Sequence, residues 1–356
     1  MFARALAGPC WSRRNRAIFL PLSRADYCRA LTHHTIQLKR NGLFIVKQEK
    51  TTRKSVGRAM KCDVVFPTKN SNRPVLHDCL RALYANVNVN RLLVIDEGST
   101  DGTLDVVSAY PNVEIHQTKG GRAVARQRGI DLVETEWHMQ LDSDIVLCDD
   151  WQVKAEKLIA DDVGAIWGCD IPANPRILHR AIPMQFVRRL DVPGLMIRNA
   201  MMRDRGNTND TLIRTEVVKD IRIPSDLHVF EDWFIRKHIE DKGYRFVLAR
   251  EPFCLHHSEP SFSYESCAQI ASLQKKYGRQ SFLTTTKYFL LGPAKCAAIL
   301  ALTRDREAAR DQWHYYWRVF KARLKLEVDE LLESFASRDR LCKVPFIKSY
   351  TGRSTR

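Results

Sequence analysis

The chain has ten cysteines but no Cys-x-x-Cys pair, because they stand singly at 10, 28, 62, 79, 148, 169, 254, 267, 296 and 342. That scatter excludes zinc-finger and dithiol redox spacings and reads as free thiols in a reducing cytoplasm rather than a disulfide framework. A long apolar run is missing too. The stretch from Phe282 to Leu302 leans that way, but Lys287, Lys295 and Gly292-Pro293 interrupt it, so it makes a poor membrane span. There is no internal repeat, which excludes solenoid and propeller architectures.

Acidic residues are scarce at the beginning. Residues 1–59 carry 13 Lys and Arg against only Asp26 and Glu49, so this stretch supplies most of the formal +16 of the 356-residue chain. A basic total can signal nucleic-acid binding, but such binding needs the charge on the folded part, and the remainder is nearly balanced. The stretch is expected to be a disordered basic arm, or translated sequence ahead of a start at Met60. A targeting peptide is the weaker reading, because the apolar piece at 17–22 has no plausible cleavage site. The overall composition, 44% hydrophobic and 28% charged, is that of a globular protein.

From Asp63 onward apolar strands alternate with helical stretches. Strands are expected at 64–66, 92–95, 113–116, 137–141, 164–167, 212–213 and 244–248, and helices at 74–84, 104–109, 151–160 and 231–242. This alternation predicts an α/β fold with a doubly wound sheet, and such sheets bind ligands at the carboxyl ends of their strands. Residues 171–207, rich in Pro, Arg and Met, read as an insertion that shapes a pocket. Beyond Ser258 the pattern is helical and amphipathic, most clearly at 304–333.

Four polar segments follow apolar strands. The turn Asp96-Glu97-Gly98-Ser99-Thr100-Asp101-Gly102-Thr103 places an acid at a strand end, where it can accept hydrogen bonds from a base or ribose while the glycines allow close backbone approach. Its plainer reading is an Asp/Gly turn with Asp101 capping the next helix. The segment Lys119-Gly120-Gly121-Arg122-Ala123-Val124-Ala125-Arg126 is a flexible turn opening a helix, whose N–H groups suit a diphosphate that Arg122 or Arg126 can neutralise; a solvated basic helix is the alternative. Asp142-Ser143-Asp144 offers two carboxylates to one hard divalent cation. Phe230-Glu231-Asp232-Trp233 puts two acids at a helix start, fit for a general base or, more plainly, for a cap.

Together with Phe66-Pro67-Thr68-Lys69-Asn70 after the first strand, these segments stand in an order that resembles glycosyltransferase family 2 over about residues 61–257. The resemblance implies a GT-A fold, a Rossmann-like, doubly wound mixed sheet at 60–257; beyond its reach, a helical C-terminal region at 258–345 and a disordered tail at 346–356 are expected. It implies an inverting glycosyltransferase that moves one sugar from a UDP- or GDP-sugar to a saccharide or lipid-linked acceptor, assisted by Mn²⁺ or Mg²⁺. Donor binding would fall to Pro67, Thr68, Asn70, Asp96, Glu97, Arg122, Arg126 and Asp142. Metal binding would fall to Asp144 and Asp142, with His257 slightly ahead of His256 as a third ligand. Asp232 matches the family's base, and Glu231, Trp233 and Asn209 border the acceptor. Glu97 departs from the family's second Asp and Gln127 from its usual Asn.

The processive synthases' Gln-x-x-Arg-Trp-type motif is absent, and Asp142-Ser143-Asp144-Ile145-Val146 differs from the Asp-Ala-Asp-Leu-Gln of dolichyl-phosphate mannose synthases, which favours single-sugar transfer. The expected location is the cytoplasm. For the aromatic and basic region around Trp313–Arg318, packing is the default and peripheral contact with the inner face of a membrane the alternative. Two rivals differ in class. A sugar-phosphate nucleotidyltransferase would carry a Gly-rich basic signature after the first strand, and a non-catalytic nucleic-acid or membrane binder would have no need of the carboxylates.

Overall fold

The computed structural model describes residues 34–39, 42–47, 60–181, 192–203, 206–258 and 263–341. The remainder of the 1–59 arm and the tail beyond 341 lie outside these residues. Within the arm, His34–Lys39 (β1) and Gly42–Lys47 (β2) pair as an antiparallel hairpin, where the sequence reading anticipates no regular structure.

The main sheet has eight strands: Cys62–Thr68 (β3), Val89–Asp96 (β4), Val113–Gln117 (β5), Trp137–Leu141 (β6), Ile145–Leu147 (β7), Val163–Pro172 (β8), Asp210–Arg214 (β9) and Arg245–His256 (β10), in the order β5-β4-β3-β6-β9-β8-β10-β7. β9 runs antiparallel to both its neighbours and β7 antiparallel to β10, while the remaining pairings are parallel. The sheet is therefore mixed, as a GT-A fold requires.

Alternation along β3 explains the two helix layers. Val64 and Phe66 join Leu76, Leu80 and Leu83 of the Pro74–Asn86 helix in one buried cluster, whereas Val65 joins Leu93, Ile95 and Ala125 in another. A strand covered on both faces has no polar side to spare, hence its continuous Val-Val-Phe run. The helix Gly121–Leu132 lies close against the second face because Gly129 has no side chain; a Cβ there would stand 2.1 Å from Val65 Cγ1.

Several boundaries differ from expectation for physical reasons. β8 continues to Pro172, and the supposed insertion contains helices at Pro175–Ala181 and Val192–Arg203. β10 runs through Pro252 to His256, because a register shift between Leu248 and Phe253 accommodates a residue that cannot donate to the ladder. The Trp151–Glu156 helix stops short of 160, as Leu158 and Ile159 turn back onto the Ala155 and Glu156 carbonyls.

The chain divides into two compact units, Met1–Pro260 with Ala298–Ala308, and Ser261–Ala297 with Ala309–Arg356. The second is helical, with Tyr264–Lys276, Phe282–Leu290 and most of the long helix Arg306–Leu341. Ser263 and Ser281 cap the first two by accepting the amides of Ser266 and Thr284. Phe289 stacks on Phe320 at a centroid distance of 4.3 Å and on Trp313 at 5.5 Å, which forms the unit's aromatic centre. No described helix is long and apolar enough to cross a membrane.

Gly129→Ala is expected to destabilise the first unit by about 1–3 kcal/mol through overpacking against Val65. A urea midpoint equal to that of the unaltered chain would contradict the close approach.

Candidate active site

β3, β4 and β6 end at Thr68, Asp96 and Leu141, β8 and β10 end at Pro172 and His256, and the reversed strand β9 begins at Asp210, opposite Leu141. One rim of the sheet thus collects every segment that the sequence singled out, apart from the turn and helix at 119–132 and the helix Glu231–Asp241, which are docked beside it.

The turns after β3 and β4 are stitched together. Asn70, with φ of +48°, accepts the Thr100 amide on Oδ1 at 2.9 Å and donates its own amide to Ser99 Oγ at 2.9 Å. Buried Thr68 donates its hydroxyl to Ser71 Oγ at 2.9 Å and accepts the Glu97 amide on its carbonyl at 3.0 Å, while Pro67 pairs in register with Ile95. Asp101 accepts the Asn72 amide at 2.9 Å and the Thr103 amide at 3.0 Å, so it ties the two turns together, while the N-cap of the Thr103–Ser108 helix is Gly102.

Asp96 is fully buried, and its two oxygens receive the Gly98 amide, the Ser99 amide and hydroxyl, and Gln117 Nε2. Burial pushes its carboxyl up, but the Ser99 hydroxyl and these amides outweigh that and hold it below the usual range. Asp96 therefore shapes the turn and leaves Glu97 at the surface. Glu97 accepts the Gly121 amide at 2.8 Å and faces Lys69 at 3.6 Å. A carboxylate of this chain thus occupies the helix N-terminus that the sequence reading reserves for a diphosphate.

The Asp142-Ser143-Asp144 triplet lies between β6 and β7. Asp142 anchors through its amide to the Asn209 carbonyl at 3.0 Å, and Asn209 Oδ1 accepts Trp167 Nε1 at 3.2 Å. Asp144 Oδ2 faces His256 Nε2 at 3.4 Å, and His256 Nδ1 meets Asp170 Oδ2 at 3.0 Å. Burial works against both charges. For His256 the nearby Asp170, followed by Asp144, wins and keeps the ring protonated; for Asp144 the hydrogen bond and charge of His256 hold the carboxyl low. His257 meets the triplet through its backbone, its amide donating to the Asp144 carbonyl at 3.0 Å. Among the described residues no three acidic, histidine or cysteine side chains are gathered to hold a metal ion by themselves.

Arg126 is buried and bridges Gln140 Oε1 at 3.0 Å and Asp142 Oδ1 at 2.5 Å. It is therefore a strut beneath the site, while the charge of Arg122 reaches Asp144 and Glu231. Across from the triplet, Asp232 is buried and accepts the Asn207 amide on Oδ2 at 3.1 Å and the Trp233 amide on Oδ1 at 2.8 Å. Gly206 lies against its backbone, where a Cβ would stand 1.7 Å from the Asp232 carbonyl oxygen. Glu231 is buried beside it with Oε2 lacking a hydrogen-bond partner. Burial first, then the Asp232 charge, raise the Glu231 carboxyl to about 7 against the opposing charges of Arg126 and Arg122.

Sequence reasoning missed Asp170 and the role of Asp210. Asp170 interrupts the apolar run of β8, and its partner His256 is 86 residues away, so only the acid's presence in a buried strand hinted at it. Asp210 is fully buried against Trp151 Nε1 at 3.1 Å, and burial followed by the Asp170 charge holds it neutral, well above the usual carboxylate range. Trp151 belongs to the core.

The raised Glu231 carboxyl carries a stability consequence. A group with a higher pKa in the folded state stabilises fully below its unfolded value and loses that contribution as pH rises through the folded value. Here the window runs from 4.5 to about 7. Between pH 4.5 and 8, Glu231→Gln should gain on the unaltered chain by about 3 kcal/mol in denaturant unfolding. Equal pH dependence of the two proteins would refute the buried, near-neutral carboxyl.

Residues 63–205 match the family model described as glycosyl transferase family 2. No curated protein matches the chain. Among solved structures, S. aureus TarS is similar at 20% identity and a TM-score of 0.47 over 74% of this chain and 55% of TarS, so the chain spans about half its length. The mannosyltransferase PcManGT from Pyrobaculum calidifontis, solved with GDP-Man and Mn²⁺, is similar at 17% identity and a TM-score of 0.45 over 78% of this chain and 79% of that one. S. aureus TarS 1-349 in complex with UDP-GlcNAc gives 18% identity and a TM-score of 0.45, over 76% and 92%.

Proposed function

We propose that the chain, whose residues 63–205 match glycosyl transferase family 2, is a glycosyltransferase that transfers a single sugar, with inversion, from a nucleoside-diphosphate sugar to an acceptor hydroxyl. The observation that carries this reading is the salt bridge of buried Arg126 with Asp142 at the rim of the sheet, next to Asp144 and its partner His256, with the charges of Arg126 and Arg122 acting also on Glu231.

In this reading the donor's nucleotide lies over the stitched turns at Pro67–Asn70 and Glu97, and Arg122 faces the diphosphate. Asp96 and Arg126 act from beneath, by fixing the turn and Asp142. Asp144 and His256 would hold a divalent cation such as Mn²⁺ or Mg²⁺ that takes the place of the proton on the ring, since Asp144 Oδ2 and His256 Nε2 stand 3.4 Å apart, with Asp170 behind the ring to orient it. His256 therefore displaces His257 as the preferred ligand. When bound, such a cation supplies positive charge to the departing diphosphate.

Asp232 receives the proton of the acceptor hydroxyl as that oxygen bonds to the anomeric carbon. The bond from this carbon to the diphosphate breaks on the opposite side, its electron pair leaving with the diphosphate. Glu231 keeps its proton until the pH passes about 7, so a second negative charge arises beside Asp232 only above that pH. Trp233 and Asn209 border the acceptor. The enzyme is assigned to the cytoplasm, acting on a glycan or on a lipid-linked acceptor at the membrane's inner face.

Nucleoside-diphosphate release should be measured with UDP- and GDP-sugars, with Mn²⁺ or Mg²⁺ and then with chelator. Release is expected to need the cation and to fall by about 10²-fold or more in Asp144→Ala; pyrophosphate-dependent exchange instead would point to a nucleotidyltransferase. Asp232→Asn should keep donor binding and lose about 10²-fold or more in turnover. The rate of the unaltered enzyme should rise with pH through about 7. If Asp232→Asn turns over normally while Glu231→Gln does not, the base is Glu231.

A further inference from the structure

Within the second unit, the outer face of the helix Arg306–Leu341 carries a stripe that nothing else in the reaction uses. Trp317, Lys321, Leu324, Val328, Leu331 and Phe335 recur at alternating spacings of four and three, the seam of a coiled coil over nearly three heptads. All six are exposed, and the apolar five range from 40% at Leu324 to 64% at Phe335. A water-facing seam spanning about 27 Å of helix is a surface that solvent does not favour.

Charge along the same helix selects the occupant. Residues 318–325 hold Arg318, Lys321, Arg323 and Lys325 and no acid, while 327–333 hold Glu327, Asp329, Glu330 and Glu333 and no base. Some of this charge is used internally: Arg323 pairs with Glu327 at 2.7 Å, and Lys275 with Glu327 at 3.3 Å and with Glu330. Lys321, Lys325, Asp329 and Glu333 remain on the exposed surface.

The basic block precedes Leu326 and the acidic block follows it. We propose that this stripe is the interface of a homodimer in which the helix pairs antiparallel with the same helix of a second copy, centred on Leu326. That register sets Trp317 against Phe335 of the second copy, Lys321 against Leu331 and Leu324 against Val328, and each basic block faces an acidic one. A two-fold axis through the centre makes the surface self-complementary and closes the assembly at two chains. Parallel pairing in register would set basic on basic and acidic on acidic, and an anionic lipid surface would repel the acidic block.

The test uses the full chain and sedimentation velocity at micromolar concentration, with circular dichroism as the check on folding. The unaltered chain should be dimeric. Leu331→Glu with Phe335→Glu should weaken association by about 30-fold or more. Lys321→Glu with Lys325→Glu, which leaves the seam's apolar residues in place, should also weaken it. Asp329→Lys with Glu333→Lys, which removes the net charge of the second block, should weaken it likewise. A monomeric unaltered chain overturns the proposal, as does a dimer indifferent to the seam changes. So does a monomer that sediments with phosphatidylglycerol vesicles through Leu331 and Phe335.

Discussion

A guanidinium with 2% exposure, that of Arg126, joins the helix behind the sheet to the acidic triplet in front of it, and the rest of the site is arranged around this contact. The cost of burying a charge is offset only when it is paired, and Asp142 together with Gln140 provides that pairing. Its charge also opposes the rise of the Glu231 carboxyl that burial and Asp232 cause. One buried cation thus fixes the Asp142 carboxylate and acts on the electrostatics at the start of the Glu231–Asp241 helix.

The approach that makes this possible is steric before it is electrostatic. Gly129 lets the Gly121–Leu132 helix settle onto Val65, and Gly206 lets the 206–209 segment run against the Asp232 backbone. Neither glycine adopts a left-handed conformation, so each is there for closeness rather than for a turn.

Where chemistry and strand ends coincide in a short window, the sequence was readable. The strand at 137–141 followed by Asp-Ser-Asp, the acid-and-glycine turn after β4, and the paired acids opening the Glu231–Asp241 helix could all be placed from local pattern alone. Long-range pairing was not readable. Ile145–Leu147 is three residues long and becomes a strand only by pairing with β10. Pro252 reads as a stop, yet a register shift carries β10 past it and delivers His256 to Asp144. Local sequence also could not tell that Asp96 is saturated by its neighbours and that Arg126 is held by Gln140 and Asp142, because burial is a property of the assembled sheet. The same holds for the second unit, where Trp313 and Trp317 both meet Phe289 while Trp317 stays 45% exposed.

The reversed direction of β9 has a consequence for how this architecture can diversify. Since β9 descends from the rim where its neighbours finish, whatever chain precedes it must arrive over that same edge. Material spliced between Ala181 and Gly206 would leave every ladder pairing untouched and still be delivered beside Asn207, Asn209 and the Asp232 carboxylate. The surroundings of Asp232 can thus be altered by lengthening one crossover while the scaffold stays fixed.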